Sequence, residues 1–197
     1  MDSLAFPLPQ IAHALSQDEG IRLLEFSIYD VRDEACSARR VFRIAPDNLR
    51  SWWQSTVESL RPYEEVGLNS PVQLQERTVH LPMVDTKGTS SRDLEQLARF
   101  VESECPEVSS INWFSSGRSF HGYGSGLLDE KRWRYFMGTL LLHRPAADGV
   151  SVDTRWVGHR LRDGYGCLRL SQNSSTYLQQ PEPLGSLHGL GRPVEVV

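Results

Sequence analysis

The chain has few of the features that identify disulfide-stabilised, zinc-binding or membrane-spanning proteins. Its 197 residues include only three cysteines, Cys36, Cys105 and Cys167, which lie far apart. No pair of them has the spacing of a zinc site, and we expect thiols in a reducing compartment. No apolar run approaches the roughly 18 residues of a membrane-spanning helix. We therefore expect a cytoplasmic protein with no membrane partner.

The motifs of several common enzyme classes are also missing. The sequence contains no Walker A motif, no Gly-x-Gly-x-x-Gly motif and no Gly-x-Ser-x-Gly nucleophile elbow. Ser119 and His121 are too close along one strand to face each other as the nucleophile and base of a hydrolase. The first ten residues lack the basic segment and apolar core of a signal peptide. These absences argue against a P-loop NTPase, a Rossmann-type dehydrogenase, a serine hydrolase and a secreted protein.

The residues that are present indicate a globular protein with an uneven charge distribution. Five Trp, six Tyr and seven Phe supply enough apolar surface to exclude extensive disorder. The net charge of -4 argues against a protein that binds nucleic acid over its whole surface. Between residues 112 and 172, however, nine Lys and Arg outnumber five Asp and Glu. This local excess is compatible with one basic site, and equally with chance.

Hydrophobic periodicity and turn residues predict an α+β fold. The predicted elements are a helix over 11–17, strands over 21–31 and 38–45, a helix over 46–60, a strand within 72–85, a helix over 90–104 that Ser90 caps, a hairpin over 110–123, a helix over 128–142, a helix or turn over 153–162 and a strand over 167–171. Residues 61–71 have the composition of a linker, and 181–197 that of a loose tail. From residue 72 the order β-α-β-β-α-β predicts a split βαβ sheet with its helices on one face.

The first feature that can carry chemistry is Asp85, at the end of an apolar run. An acid at that position projects toward the crevice at the strand ends, where ligands commonly bind. Mg²⁺ binds one or two such carboxylates together with substrate phosphate oxygens. The run Asp-Thr-Lys-Gly is also a good turn sequence, and the local pattern alone favours that alternative.

The second feature is a run of small, basic and histidine residues at the predicted hairpin. Ser116, Gly117 and Ser119 are small enough for backbone N–H groups to approach a phosphate. Arg118 adds a charged bidentate donor. His121 lies two residues after Ser119 on a strand, so both side chains point to the same face. A plain hairpin turn with a half-buried structural histidine is the alternative.

The third feature combines an acid with two later arginines. Asp153 follows an apolar residue and can supply a second metal ligand. Arg160 and Arg169 can neutralise a triphosphate or a nucleic-acid backbone. Asp153 is also explained as the N-cap of a helix, and on local evidence that alternative is the stronger one.

Taken in order, these features resemble the catalytic core of the archaeo-eukaryotic primase superfamily, in particular its small bacterial primase-like members. Met83-Val84-Asp85 resembles the first motif of that family, and the string from Ser116 to His121 resembles the second. Val152-Asp153 resembles the third, and Leu168-Arg169-Leu170-Ser171 is similar to the Arg-containing strand that follows it. The likeness covers residues 78–175, about half the chain.

The resemblance implies a primase-type catalytic core, in which an RRM-like split βαβ module over 72–180 packs on a small N-terminal α/β lobe over 1–71. It implies a primase-polymerase-like nucleotidyltransferase that uses NTPs or dNTPs with Mg²⁺ or Mn²⁺, through two metal ions, on single-stranded DNA or RNA. Asp85 and Asp153 would hold metal and, with His121, form the catalytic set. The nucleotide-binding residues would be Ser116, Gly117, Arg118, Ser119, His121, Lys87, Arg160, Arg169 and Ser171.

Lys87 departs from the family pattern, which has a second acid at this position. A protonated lysine cannot ligate a metal, and it places a like charge beside one. A catalytically degenerate primase fold that binds nucleotide or nucleic acid as an accessory subunit or sensor is therefore an alternative. An interaction domain with coincidental motifs is a third hypothesis. The sequence shows no helical priming domain or zinc stem, and we expect a larger protein partner.

Overall fold

The computed structural model describes residues 20–33, 38–88, 91–108, 110–145 and 151–184. Within them the fold is α+β, as predicted. The helix predicted over 11–17, the cap at Ser90 and the tail beyond residue 184 lie outside the described residues. The elements are β1 (Leu23–Asp30), β2 (Arg40–Ile44), α1 (Leu49–Ser59), β3 (Glu64–Gln73), β4 (Thr78–His80), β5 (Met83–Lys87), α2 (Ser91–Glu104), β6 (Ile111–Ser115), β7 (Phe120–Gly124), α3 (Glu130–Leu140), β8 (Ser151–Val152), α4 (Thr154–Asp163), β9 (Cys167–Arg169) and β10 (Glu182–Pro183).

The first antiparallel sheet has the order β2-β1-β3-β4, and β9 pairs with β3 beside β4. The pairing of β1 with β2 confirms the two strands predicted over 21–31 and 38–45. Alternate residues of β1, among them Leu24 and Phe26, enter an apolar core together with Trp53 of α1. That helix begins after a 3₁₀ turn over Pro46–Asn48, within the range predicted for it.

The prediction of a linker over 61–71 was wrong, because most of this segment belongs to β3. β3 is central to the first sheet, with β1 on one side and β4 and β9 on the other. Its register against β1 shifts between the pairs Leu24–Val72 and Phe26–Leu68. Pro71 lies in this bulge, where its missing N–H is not needed for pairing with β1.

Buried polar side chains also concealed β3 in the sequence. Asn69 and Ser70 have no solvent-exposed surface. Ser27 donates a hydrogen bond to Asn69 Oδ1 at 2.9 Å, and Ser70 Oγ lies 3.1 Å from His80 Nδ1. Because these partners satisfy the polar groups, a polar segment can occupy the centre of a sheet.

The second antiparallel sheet has the order β10-β6-β7-β5-β8. It contains the hairpin of β6 and β7, which confirms the hairpin predicted over 110–123. The single long strand predicted within 72–85 was wrong, because the segment divides between the sheets. β4 belongs to the first sheet and β5 to the second, and Pro82, which has no N–H to donate, lies between them.

α2 and α3 pack on the second sheet around a separate apolar core that includes Leu97, Trp133 and Phe136. Asp129 caps α3 by accepting a hydrogen bond from the Arg132 N–H at 2.8 Å. The segment predicted as a helix or turn over 153–162 is a helix, α4. β10 pairs with β6, so the predicted loose tail begins with a paired strand. None of the described helices is both long and apolar enough to cross a membrane.

Glu65 is a fully buried carboxylate that fixes the segment after β9 to β3. It accepts hydrogen bonds from the Ser171 hydroxyl and from the backbone N–H groups of Asn173, at 2.9 Å, and Ser174, at 2.8 Å. The same segment continues to Tyr177. Glu65 therefore holds in place a stretch of chain that crosses from one sheet toward the other.

We expect Glu65→Ala to lower the free energy of unfolding by about 3 kcal/mol, because it leaves several buried donors without an acceptor. Urea denaturation measures this loss. Glu76→Ala is the matched control, since Glu76 is exposed in the turn between β3 and β4 and its loss should change stability by less than about 0.5 kcal/mol. Equal effects of the two substitutions would contradict the role assigned to Glu65.

Candidate active site

Strand pairing brings together the three residues that were predicted as the catalytic set. Asp85 on β5 is the direct partner of His121 on β7. β8 pairs with the other edge of β5, and the Asp153 N–H donates to the Asp85 carbonyl at 2.8 Å. His121 Nε2 lies 3.9 Å from Asp85 Oδ1. Asp85, His121 and Asp153 thus lie close together in the structure, although 68 positions separate the first from the last in the sequence.

A cleft of about 470 Å³ opens beside these three residues, and residues from both sheets line it. Eight of the eleven predicted site residues line it: Asp85, Ser116, Arg118, Ser119, His121, Asp153, Arg160 and Arg169. Lys87, Gly117 and Ser171 are not part of its lining. The functions assigned to all eleven residues stay predictions.

The turn between β6 and β7 forms one rim of the cleft. The Ser116 hydroxyl lies 2.8 Å from that of Ser119, and the Ser116 N–H donates to the Ser119 carbonyl at 2.9 Å. Gly117 has φ of +97°, and a Cβ there would lie 3.0 Å from the Leu178 Cβ. Gly117 therefore serves the turn through its backbone, while the Arg118 side chain is exposed at the rim.

Arg169 is a buried cation that contacts both sheets. It lies on β9 in the first sheet, yet its guanidinium donates to the Ser116 carbonyl in the second sheet at 3.3 Å. It also donates to the carbonyls of Ser171 and Gln179, the latter at 3.1 Å, and stacks 3.9 Å from the Tyr177 ring centre. Its Nε has no hydrogen-bond partner among the described residues. Neutral carbonyls thus orient Arg169 without cancelling its charge.

Arg160 is a second buried cation in the cleft wall, on α4. Its side chain is 7% exposed, and one terminal nitrogen pairs with Asp163 at 3.0 Å. Its Nε and its other terminal nitrogen have no partner among the described residues. Buried N–H groups without acceptors are costly, so this arrangement favours an acceptor supplied by a ligand.

Ser171 has a structural position that explains it without a nucleotide. Its hydroxyl donates to Glu65 and accepts a hydrogen bond from the Val66 N–H at 2.8 Å. Both contacts are buried in the junction between β3 and the segment that follows β9. The geometry therefore gives no support to the prediction that Ser171 binds nucleotide.

Burial shifts the titration of both central residues toward their neutral forms. The pKa of Asp85 is raised to about 7, chiefly by burial and secondly by the nearby charge of Asp153. The pKa of His121 is lowered to about 3, by burial and then by the positive charge of Arg169. His121 is therefore a neutral hydrogen-bond donor and acceptor at neutral pH, and its Nδ1 has no partner within the described residues.

The carboxylates differ in how well they fit the implied metal. Asp153 Oδ1 accepts from the backbone N–H groups of Arg155, at 2.9 Å, and Trp156, at 3.1 Å, and lies 3.3 Å from the Lys87 ammonium. Within the described ranges, no group of three or more His, Cys, Asp or Glu side chains is placed to hold a metal ion. Asp85 with substrate phosphates fits one Mg²⁺ or Mn²⁺, whereas Asp153, the other carboxylate that lines the cleft, is paired with Lys87.

Several residues that line the cleft were missed by the sequence analysis. They are Tyr29, Arg39, Arg155, Trp156, Cys167, Leu168, His159, Thr176, Tyr177 and Leu178. The polar residues at positions 25, 27 and 29 alternate along β1 with the apolar core residues. Such alternation is typical of a strand with one solvent-facing side, so it gives no indication that Tyr29 lines a cleft. No local signal marks residues 176–178 either, and they reach the cleft through tertiary contacts alone.

Comparison with known proteins identifies the family of the chain. Residues 46–182, well over half the chain, match the family model described as AEP-like, archaeo-eukaryotic primase 1D-like. The chain belongs to this family. No curated protein and no solved structure shows significant similarity to the chain. Family membership confirms the superfamily resemblance, and the match extends over α1 and β3 as well as the motif-bearing strands and ends at the first residue of β10.

Two substitutions test whether Asp153 stabilises the protein as the N-cap of α4. Asp153→Ala should lower the free energy of unfolding by about 1 kcal/mol, because α4 loses its N-cap. Asp153→Asn should stay close to the wild type, because Asn caps well but carries no charge. Chemical denaturation distinguishes the two. If both variants were as stable as the wild type, the capping role would be refuted.

The raised pKa of Asp85 predicts a pH-dependent stability. Below about pH 4 the Asp85 carboxyl is neutral in both the folded and the unfolded state. As the pH rises to about 7 it ionises more readily in the unfolded state, so the free energy of unfolding falls. Above about pH 7 the carboxyl is ionised in both states and this loss of stability stays constant. Asp85→Asn should therefore gain stability relative to the wild type by about 2 kcal/mol between pH 5 and pH 8. Urea denaturation at both pH values measures the difference. A stability difference between Asp85→Asn and the wild type that does not change with pH would contradict the raised pKa of Asp85.

Proposed function

We propose that this cleft binds a nucleoside triphosphate and that the protein is a primase-polymerase-like nucleotidyltransferase. The observation that carries the proposal is the pair of buried arginines, Arg160 and Arg169, whose partnerless N–H groups lie in the cleft wall. Five arginines line the cleft against two aspartates, so the ligand that fits best is strongly anionic. Membership of the primase-like family supports a nucleotide as that ligand.

The arrangement of the second sheet supports an RRM-like module as the core of the site. The chain order β5-α2-β6-β7-α3-β8 combines with the spatial order β6-β7-β5-β8, so β7 lies between two strands that a helix connects. This is the split βαβ arrangement expected for such a module. It places Asp85 and His121 on its two central strands.

Each residue type has a defined task in the proposed reaction. The triphosphate chain would lie against Arg169, Arg160 and the serine turn, and neutral His121 would donate a hydrogen bond to a phosphate oxygen. Asp85 would hold one Mg²⁺ or Mn²⁺ with the phosphates, and the ion would supply charge neutralisation. The oxygen of a 3′ hydroxyl would lose its proton to water and bond to the α-phosphorus, while the bond from the α-phosphorus to the bridging oxygen breaks and pyrophosphate leaves.

The surroundings of the reaction follow from the same proposal. The local excess of basic residues supports a single-stranded DNA or RNA strand as the polymer that is extended or read. A larger protein partner that contributes to priming or template binding is part of the same proposal. The nucleic-acid strand, the protein partner and the use of NTPs or dNTPs are all parts of this proposal.

A second candidate function is favoured by one observation, the ion pair between Lys87 and Asp153. It pairs the second acidic residue with a lysine and leaves Asp85 as the one carboxylate in the cleft lining without a Lys or Arg partner among the described residues. A catalytically degenerate primase fold, which binds nucleotide or nucleic acid as an accessory subunit or sensor, would need no more than this. The two candidates share the nucleotide site and differ in turnover.

The test combines nucleotide binding with product formation. Labelled NTPs and dNTPs are incubated with the protein, Mg²⁺ or Mn²⁺ and single-stranded DNA or RNA, with and without a primer. The proposal expects bound nucleotide and an extended product. Bound nucleotide without product in every combination selects the second candidate, as does binding of nucleic acid alone. Binding of neither nucleotide nor nucleic acid refutes both.

Arg160→Gln should weaken triphosphate binding roughly tenfold to hundredfold, the loss expected for one charge-assisted contact. Arg162→Gln is the matched control, because Arg162 is on the same helix and contacts the same Asp163 but is exposed and does not line the cleft. Equilibrium dialysis with labelled nucleotide compares the variants. Equal affinities of the Arg160→Gln and Arg162→Gln variants for nucleotide would refute the role of Arg160 on which the proposal depends.

A further inference from the structure

Lys87 lies beside the cleft in a position that backbone pairing determines. It follows Asp85 by two residues on β5, so both side chains point to one face of the sheet. Lys87 pairs with Ser151 on β8, and Asp153 follows that strand directly. This strand pairing therefore brings the Lys87 ammonium next to Asp153, with Nζ 3.3 Å from Oδ1.

The oxygen that Lys87 contacts is already engaged by two other donors. Asp153 Oδ1 accepts hydrogen bonds from the N–H groups of Arg155 and Trp156 at the start of α4. Three donors with positive or partly positive charge thus converge on one oxygen. A divalent cation bound to either oxygen of Asp153 would meet the ammonium as a like charge within a few ångströms.

The ion pair is poorly placed to serve stability. The Lys87 side chain is 57% exposed, and exposed ion pairs contribute little to the free energy of folding. Asp153 would cap α4 without Lys87, because the capping contacts come from the helix backbone. What Lys87 adds is a fixed positive charge next to Asp85, at the mouth of a cleft that already contains five arginines.

We propose that the Lys87 ammonium is a built-in cation that takes the place of a divalent metal ion at Asp153. The site then holds one divalent ion fewer than a site with an acid at position 87. The inference rests on the proposed function only for the identity of the nucleotide. It assigns Asp153 a capping and charge-pairing role and leaves Asp85 as the carboxylate available to a metal.

The test counts bound Mn²⁺ by electron paramagnetic resonance after equilibrium dialysis, which requires no turnover. Three variants are compared with the wild type. Lys87→Asp supplies a third carboxylate next to Asp85 and Asp153, Lys87→Met removes the charge at nearly constant length, and Lys131→Asp is a control on the exposed face of α3. Each is measured alone and with an α,β-methylene triphosphate analogue.

We expect Lys87→Asp to bind one more Mn²⁺ per chain than the wild type. Lys87→Met should bind Mn²⁺ at least about tenfold more tightly than the wild type, which corresponds to about 1.4 kcal/mol of removed repulsion. Lys131→Asp should match the wild type. Equal Mn²⁺ counts and affinities in the wild type and both Lys87 variants would overturn the inference, and Lys87→Met decides alone if Lys87→Asp does not fold.

The same samples separate this inference from the proposed function. Labelled nucleotide binding to the wild type is measured in parallel. Absence of nucleotide binding with the Mn²⁺ difference intact would refute the nucleotide site and leave the role of Lys87 standing. Nucleotide binding without any Mn²⁺ difference would refute the role of Lys87 alone.

Discussion

The buried guanidinium of Arg169 is the interaction on which the arrangement of the two sheets and the cleft depends. It belongs to β9 in the first sheet, and it donates to the carbonyl of Ser116 in the hairpin of the second. A buried charge is tolerated only where its donors find acceptors. Backbone carbonyls accept from both terminal nitrogens and the Tyr177 ring stacks on the guanidinium, which leaves only Nε without a partner among the described residues. Removing Arg169 would therefore loosen both sheets and the segment that closes the cleft.

The choice of acceptors has an electrostatic consequence for the whole site. Carbonyl groups orient Arg169 but leave its positive charge in place, unlike a carboxylate, which would cancel it. That charge contributes to the lowered pKa of His121 and opposes the burial that raises the pKa of Asp85. An anion entering the cleft would meet preoriented donors and a neutral imidazole, and it would supply the missing negative charge itself. Preorganisation of this kind is what binding of a polyphosphate requires.

The sequence was informative where local chemistry decides the structure, and misleading where tertiary contacts decide it. The hairpin over 110–123 and the cap at Asp153 follow from turn and capping residues, and both are confirmed. β3 was mistaken for a linker because its polar residues find buried partners from other strands, which no local pattern reveals. Tyr29 and Tyr177 reach the cleft for the same reason, through the fold and not through a motif. The order of short motifs carried more information than any one of them, since strand pairing joins Asp85, His121 and Asp153.

Asp153 shows why a family motif does not by itself decide the chemistry of a site. A carboxylate placed before a helix satisfies backbone N–H groups, and the same carboxylate in a cleft can bind a cation; both roles demand the same residue type at the same position. The neighbouring side chain decides which role is open. With an acid at position 87, the negative charges of the site would repel each other until metal ions neutralised them. With Lys87 in contact with Asp153, part of that neutralisation is built into the chain, so the proposed site would need fewer metal ions to reach the same charge.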